Sequence, residues 1–128
     1  MQTPEGDSLS IYGVKAKAKI IDFWASWCGP CRGENPHVVE IYKEYHPKGL
    51  EIFGVSLDNN KEAWVKAIAD DGLVWKHGSD LKGWQSAPAQ LYSVSGIPHT
   101  VLLDENNKII AKNLRGDELK QKIAELLK

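Results

Sequence analysis

The stretch Ile20-Ile21-Asp22-Phe23-Trp24-Ala25-Ser26-Trp27-Cys28-Gly29-Pro30-Cys31-Arg32 decides how this chain is read. From Ile20 to Ala25 it is apolar except for Asp22, and the strand is read from about Lys19 to Ala25. A continuous apolar run of that length suits a strand covered on both faces. Gly29-Pro30 then makes a tight turn into a helix, because proline is well tolerated in a first helical turn. This order of strand, turn and helix places the only two cysteines of the 128 residues at a helix start. Free backbone N–H groups and the helix macrodipole favour negative charge there, so the site favours a thiolate. A thiolate beside a second thiol three residues on is the minimum equipment for making and breaking disulfides. Cys28, at the turn, is expected to be the exposed sulfur, with a pKa below that of a free thiol. Cys31, one turn further in, is expected to be shielded. Cys28 then attacks a substrate disulfide, and Cys31 attacks the mixed disulfide to release product.

Working outward, the helix runs from near Pro30 to about Tyr45 and stops at His46-Pro47-Lys48-Gly49. Leu50 to Leu57 reads as a second strand. Asn59 or Asn60 caps a helix from Lys61 to about Asp70, with Trp64, Val65 and Ile68 on its buried face. Asp71-Gly72 ends it. Residues 73–87 read as irregular, with Trp75 and Trp84 packing down. A short helix follows at Pro88 to Tyr92. Pro98 to Leu103 and Lys108 to Ala111 make a hairpin across Asp104-Glu105-Asn106-Asn107. A last helix from Gly116 or Asp117 carries Leu119, Ile123, Leu126 and Leu127 as its apolar stripe. The expected order is β-α-β-α-β-β-α. It predicts one α/β domain over residues 1–128, a central mixed sheet with helices on both faces, and residues 1–8 as a loosely ordered arm.

Composition narrows the function classes. The chain is 42% hydrophobic and 26% charged, which places it with globular proteins. Its net charge of −1 gives neither a nucleic-acid footprint nor a patch for anionic membranes. Lys15-Ala16-Lys17-Ala18-Lys19 reads as the solvent face of a strand approach. Residues 1–20 hold no apolar run long enough for a signal peptide or a membrane span.

Other readings of the cysteine pair stand beside the redox one. Two cysteines alone form a plain structural disulfide, although a staple rarely closes so small a loop. Cys-x-x-Cys is also half of a zinc site, but there is no second pair, and His37 and His99 complete one only by a coincidence of the fold. Haem attachment needs His after the second cysteine, where Arg32 stands.

The segment from Asp22 to Arg32 resembles the active-site segment of the thioredoxins. Pro36, five residues after Cys31, matches the family's mid-helix proline, and Gly96-Ile97-Pro98 resembles its cis-proline loop. Glu34, Asn35, Asp80-Leu81-Lys82-Gly83-Trp84 and Ile97-Pro98-His99-Thr100 resemble the TlpA/ResA-like branch more specifically. The resemblance spans about residues 8–128. It implies a thioredoxin fold and a thiol–disulfide oxidoreductase. Cys28 would attack and Cys31 resolve. Pro98 would be cis and face the disulfide, with the Ile97 backbone pairing a substrate strand. Asp22 matches the acid that helps move the proton of the second cysteine, and Glu34 matches an acid of the envelope branch. An acid set in an apolar strand has a raised pKa, which suits Asp22 for that work.

Gly29 and Pro30 set how strongly the helix start stabilises the thiolate. Gly-Pro is the pair of strongly reducing thioredoxins, at about −270 mV, so a reductant is predicted. Trp27 is expected at the docking surface and Trp24 in the core. The expected partners are a disulfide-containing protein substrate and an upstream dithiol donor, with no cofactor, metal or nucleic acid. The resemblance implies a periplasmic or cell-envelope setting, with the cytoplasm as the alternative. An isomerase or oxidant, or a binding module without turnover, are the rival functions.

Overall fold

The computed structural model describes residues 1–127. Strand β1 (Ala18–Trp24) lies at the centre of a five-stranded sheet whose strands follow in the order Lys76–Gly78 (β3), Leu50–Ser56 (β2), β1, His99–Asp104 (β4) and Ile109–Lys112 (β5). All seven of its residues are buried, as a continuous apolar run requires when both faces are covered. β2 (Leu50–Ser56) runs parallel to β1, pairing Asp22 with Gly54. β4 (His99–Asp104) runs antiparallel on the other side, pairing Asp22 with Thr100. β5 (Ile109–Lys112) closes that edge as a hairpin. The sheet is therefore mixed, as expected.

Helix α1 (Gly29–Tyr45) connects β1 to β2 and continues through Pro36. Asn60 caps α2 (Lys61–Asp71) by accepting from the Ala63 N–H at 3.0 Å. Gly72 ends α2 in the left-handed region, at φ 65°, where a residue without Cβ is least strained. α3 (Ala87–Leu91) is a short turn of helix, and α4 (Gly116–Leu126) packs Leu119 and Ile123 inward. Trp24, Trp64, Phe23 and Phe53 are among the fully buried side chains. Truncating a buried Trp costs roughly 3–5 kcal/mol, so Trp24 belongs to the core, as expected.

Four expectations need correction. Residues 73–87 are not wholly irregular: β3 (Lys76–Gly78) adds to β2 in parallel. Within that stretch Trp75 is buried but Trp84 is not. Trp84 lies in a short 3-10 turn (Gly83–Gln85) and turns toward Trp27, which leaves one side of its ring in solvent. On α2 the buried face is Trp64 and Ala67, while Val65 is exposed. Positions 64 and 67 lie one turn apart, and 65 falls about 100° off that line. Lys19 is buried as well. It belongs to the central strand, and its Nζ donates to the Ile11 carbonyl at 3.0 Å and to Asn107 Oδ1 at 2.7 Å. Burial lowers its pKa. Only Lys15 and Lys17 of the alternating run face solvent.

Candidate active site

β1 ends at Trp24, and four residues later Cys28 caps α1. Cys28 and Cys31 are joined by a disulfide, with Cα atoms 5.2 Å apart. The Cys31 backbone N–H donates to Cys28 Sγ at 3.2 Å, so a sulfur occupies the place of an N-cap oxygen. The first turn of α1 holds no acidic residue. The positive end of the helix therefore acts on the Cys28 sulfur without a competing carboxylate in that turn.

The two sulfurs differ less in exposure than the turn alone suggests. Cys28 is 5% exposed and Cys31 is 1% exposed. Cys28 is the more accessible, yet it is not openly exposed. The loop before β4 folds over it and brings the Ile97 carbonyl oxygen to 3.8 Å from Sγ. The Ile97–Pro98 peptide bond is cis, as the resemblance implies. Trp27, next to Cys28, is 55% exposed. Gly29 and Pro30 are also exposed, at the start of α1.

Behind Cys31 lies a cavity of about 10 Å³, lined by Asp22, Glu34, Asn35, Pro98 and Thr100 among others. That is about the room one water molecule needs. Asp22 points into it from β1. Burial pushes the Asp22 carboxyl up to about 7, and the charge of Glu34 adds to the rise. Glu34 reaches across from α1, and its Oε1 accepts from the Gly116 N–H at 3.1 Å. Arg115, the N-cap residue of α4, makes no side-chain capping bond. Glu34 thus serves that helix start from outside the helix. Both acids singled out in the sequence sit at one cavity with Cys31.

Asp58, absent from the sequence reading, and Arg32 and Asn35, whose partner the sequence did not give, hold the turn in place. Asp58, just past β2, is buried. Its carboxylate accepts from the Ser26 N–H at 3.1 and 3.2 Å, from Ser26 Oγ at 2.5 Å and from Ser56 Oγ at 2.5 Å. Arg32 forks onto Asp71, with Nε to Oδ2 at 2.5 Å and Nη2 to Oδ1 at 2.9 Å. Its Nη1 also donates to the Ser26 carbonyl at 3.1 Å. Hydrogen bonding within this pair holds Asp71 below the usual carboxylate range and raises Arg32. Asn35 Nδ2 donates to the same Asp71 oxygen at 2.9 Å. One sign was available for Asp58: it follows the carboxyl end of a parallel strand, where α/β folds build their sites. The Arg32–Asp71 pairing spans 39 residues and had no local sign.

His99, after Pro98, is half-buried, and its ring stacks at an angle with Phe23, with centroids 6.2 Å apart. Burial first, then Lys112 and Arg115, lower its pKa. Among the described residues no three His, Cys, Asp or Glu side chains come together at metal-binding distance.

A family model described as Redoxin matches residues 2–127. The chain belongs to the Redoxin family. Among solved structures, this Redoxin-family chain is similar to the thioredoxin domain of a thiol–disulfide oxidoreductase from Bacteroides vulgatus. The two are 35% identical, with a TM-score of 0.91 over 99% of this chain and 91% of that one. A thiol–disulfide oxidoreductase from Bacteroides fragilis matches with a TM-score of 0.89 at 33% identity, over 98% of this chain and 93% of that one. The thiol–disulfide oxidoreductase ResA of Bacillus thuringiensis subsp. konkukian is 30% identical over 124 residues, or 97% of this chain and 69% of that protein. The fold is the thioredoxin fold, and this Redoxin-family protein is a thiol–disulfide oxidoreductase of the TlpA/ResA-like kind. No helix among the described residues is long and apolar enough to cross a membrane.

Proposed function

We propose that the protein reduces disulfides in protein substrates, with Cys28 as nucleophile, Cys31 as resolving thiol and Asp22 as proton acceptor. The observation that carries this reading is the Cys28 sulfur at the cap of α1, 3.8 Å from the Ile97 carbonyl. In the dithiol form, the Cys28 thiolate attacks one substrate sulfur. The substrate S–S bond breaks, and its other sulfur leaves as a thiolate. Cys31 then gives its proton to Asp22, through a water where the cavity admits one, and attacks Cys28 Sγ. The second substrate sulfur leaves, and the Cys28–Cys31 bond forms. Two electrons have passed to the substrate, and an upstream dithiol restores them. The Ile97 backbone, beside Pro98, pairs an extended substrate segment across Cys28, and Trp27, Gly29 and Pro30 form the contact rim. Glu34 acts on the proton step by raising the Asp22 pKa.

Gly29-Pro30 supports the direction of transfer, because it leaves the helix start free to stabilise the thiolate moderately, as in reducing thioredoxins. The resemblance to the envelope branch supports an extracytoplasmic setting. The test is turnover of a disulfide-linked peptide with dithiothreitol as donor, together with the redox potential of the pair. Wild type is expected to turn over, with a potential below about −200 mV. Cys28→Ser is expected to fall to the uncatalysed rate. Turnover that survives this substitution overturns the mechanism, and a potential well above about −200 mV overturns the direction.

A further inference from the structure

Two indole rings stand half in solvent beside the reacting sulfur. Trp27 is 55% exposed and Trp84 is 48% exposed, and their ring centroids lie 6.4 Å apart at a tilt of 52°. Trp24, Trp64 and Trp75, the other three tryptophans, are all buried. Two large apolar rings left open to water and touching each other mark a surface meant to be covered. Trp is also among the residues that dominate binding energy where an interface closes.

The pair is mounted with care. Asp58 holds both supports: its carboxylate takes the Ser26 N–H beside Trp27, and its carbonyl takes the Gly83 N–H beside Trp84 at 3.4 Å. Gly83 has φ +57°, and so has Leu81, a residue type that rarely adopts the left-handed region. Such a backbone persists where its surroundings over-determine it, commonly at functional sites. Here the Leu81 N–H donates to Ser79 Oγ at 3.0 Å, and that hydroxyl donates to the Ser56 carbonyl at 3.0 Å. The Trp84 loop and the Cys28 turn are thus anchored at the same end of β2.

We propose that Trp27 and Trp84 form a subsite for an apolar or aromatic side chain next to the disulfide cysteine of a polypeptide substrate, and that Trp84 sets the preference. This rests on the reductase reading above. The occupant follows from continuity with the reacting rim. A substrate segment paired to the Ile97 backbone must place its sulfur at Cys28, which adjoins Trp27. An extended chain advances about 3.3 Å per residue, so a neighbour one or two positions from the substrate cysteine reaches rings that begin beside Cys28. Trp84 then widens the single ring of Trp27 into a two-sided platform that grips a flat or branched apolar side chain and gains little from glycine.

The experiment compares two disulfide-linked peptides that differ only in the residue before the cysteine, Phe in one and Gly in the other. Steady-state reduction is measured for wild type, Trp84→Ala and Trp84→Phe. Wild type is expected to prefer the Phe peptide about tenfold in kcat/KM, mainly through KM. Trp84→Ala is expected to bring that ratio close to one, and Trp84→Phe to keep most of it. A wild type that reduces both peptides with equal kcat/KM overturns the subsite alone. A Trp84→Ala ratio equal to that of wild type does the same, since a merely structural role slows both peptides alike. A wild type that reduces neither peptide overturns the reductase reading itself.

Discussion

The two sides of the Cys28–Cys31 bond are built differently. The Cys28 side is a rim of backbone and indole: the Ile97 carbonyl and Trp27, whose neighbour Ser26 is held by hydrogen bonds to Asp58 and Arg32 deeper down. The Cys31 side is a closed space with two carboxyl groups, one buried and raised to about 7, the other tied to the start of α4. The rim has shape and few titratable groups, which in the proposed mechanism suits it to select and align substrate. The interior has titratable groups and little room, which suits it to the proposed proton step. Under that proposal one sulfur meets substrate while the other waits, protonated, until it is needed.

Removing the interior acid should break this division most severely. Asp22→Asn is expected to slow the resolving step by about a hundredfold at pH 8, because general-base help is lost. The rise of the wild-type rate through about pH 7 should vanish with it. Stopped-flow decay of a mixed disulfide on Cys28 measures this, and an unchanged pH profile removes Asp22 from the proton path. The same variant should be more stable. The native Asp22 pKa of about 7 lies above its unfolded value of 3.8. Between those values the native state holds the extra proton, so stability falls as pH rises from about 4 to 7. Asn abolishes that loss and should gain up to about 4 kcal/mol at pH 8, with no gain below about pH 4. Denaturant titration at both pH values reads it.

The rim should fail in the opposite sense. Asp58→Ala strands the half-buried Ser26 and buried Ser56 donors and is expected to cost about 3 kcal/mol. A loss under about 1 kcal/mol in urea unfolding means that the Arg32 bond to Ser26 holds the turn unaided. The smallest effect is expected at Glu34. Glu34→Gln keeps an acceptor for the Gly116 N–H but removes the charge that raises Asp22. The pH midpoint of resolution should move lower by up to about one unit, with little change in the plateau rate. A midpoint that stays put or moves higher denies the coupling between the two acids.

Much of the rim was legible because its parts are local. Cys28, Gly29, Pro30 and Cys31 are contiguous, and strand-turn-helix periodicity placed them at a helix start. Pro98 was legible only through the resemblance of Gly96-Ile97-Pro98 to a known loop, since nothing in that tripeptide says what it faces. Asp22 stood out as the one acid in an apolar strand, and its burial followed. Lys19 misled because alternation with alanine suggests a wet face, whereas its long stem lets a central-strand lysine carry its ammonium to Ile11 and Asn107. Trp84 misled because a large apolar ring is expected inside, and only the fold shows that it meets Trp27 at the surface.

The chain alone therefore determined the chemistry available: two thiols one turn apart at a helix start, with an acid in the preceding strand. Those properties come from neighbours in sequence, through helix geometry and strand burial. The tertiary structure decided what surrounds each sulfur. Parallel pairing of β1 with β2 brought Asp58 under the turn. The antiparallel β4 brought Ile97 and Pro98 over Cys28. α4 brought Gly116 to Glu34 across 82 residues. Contacts at such separations are set by sheet order and helix packing, which no local pattern encodes.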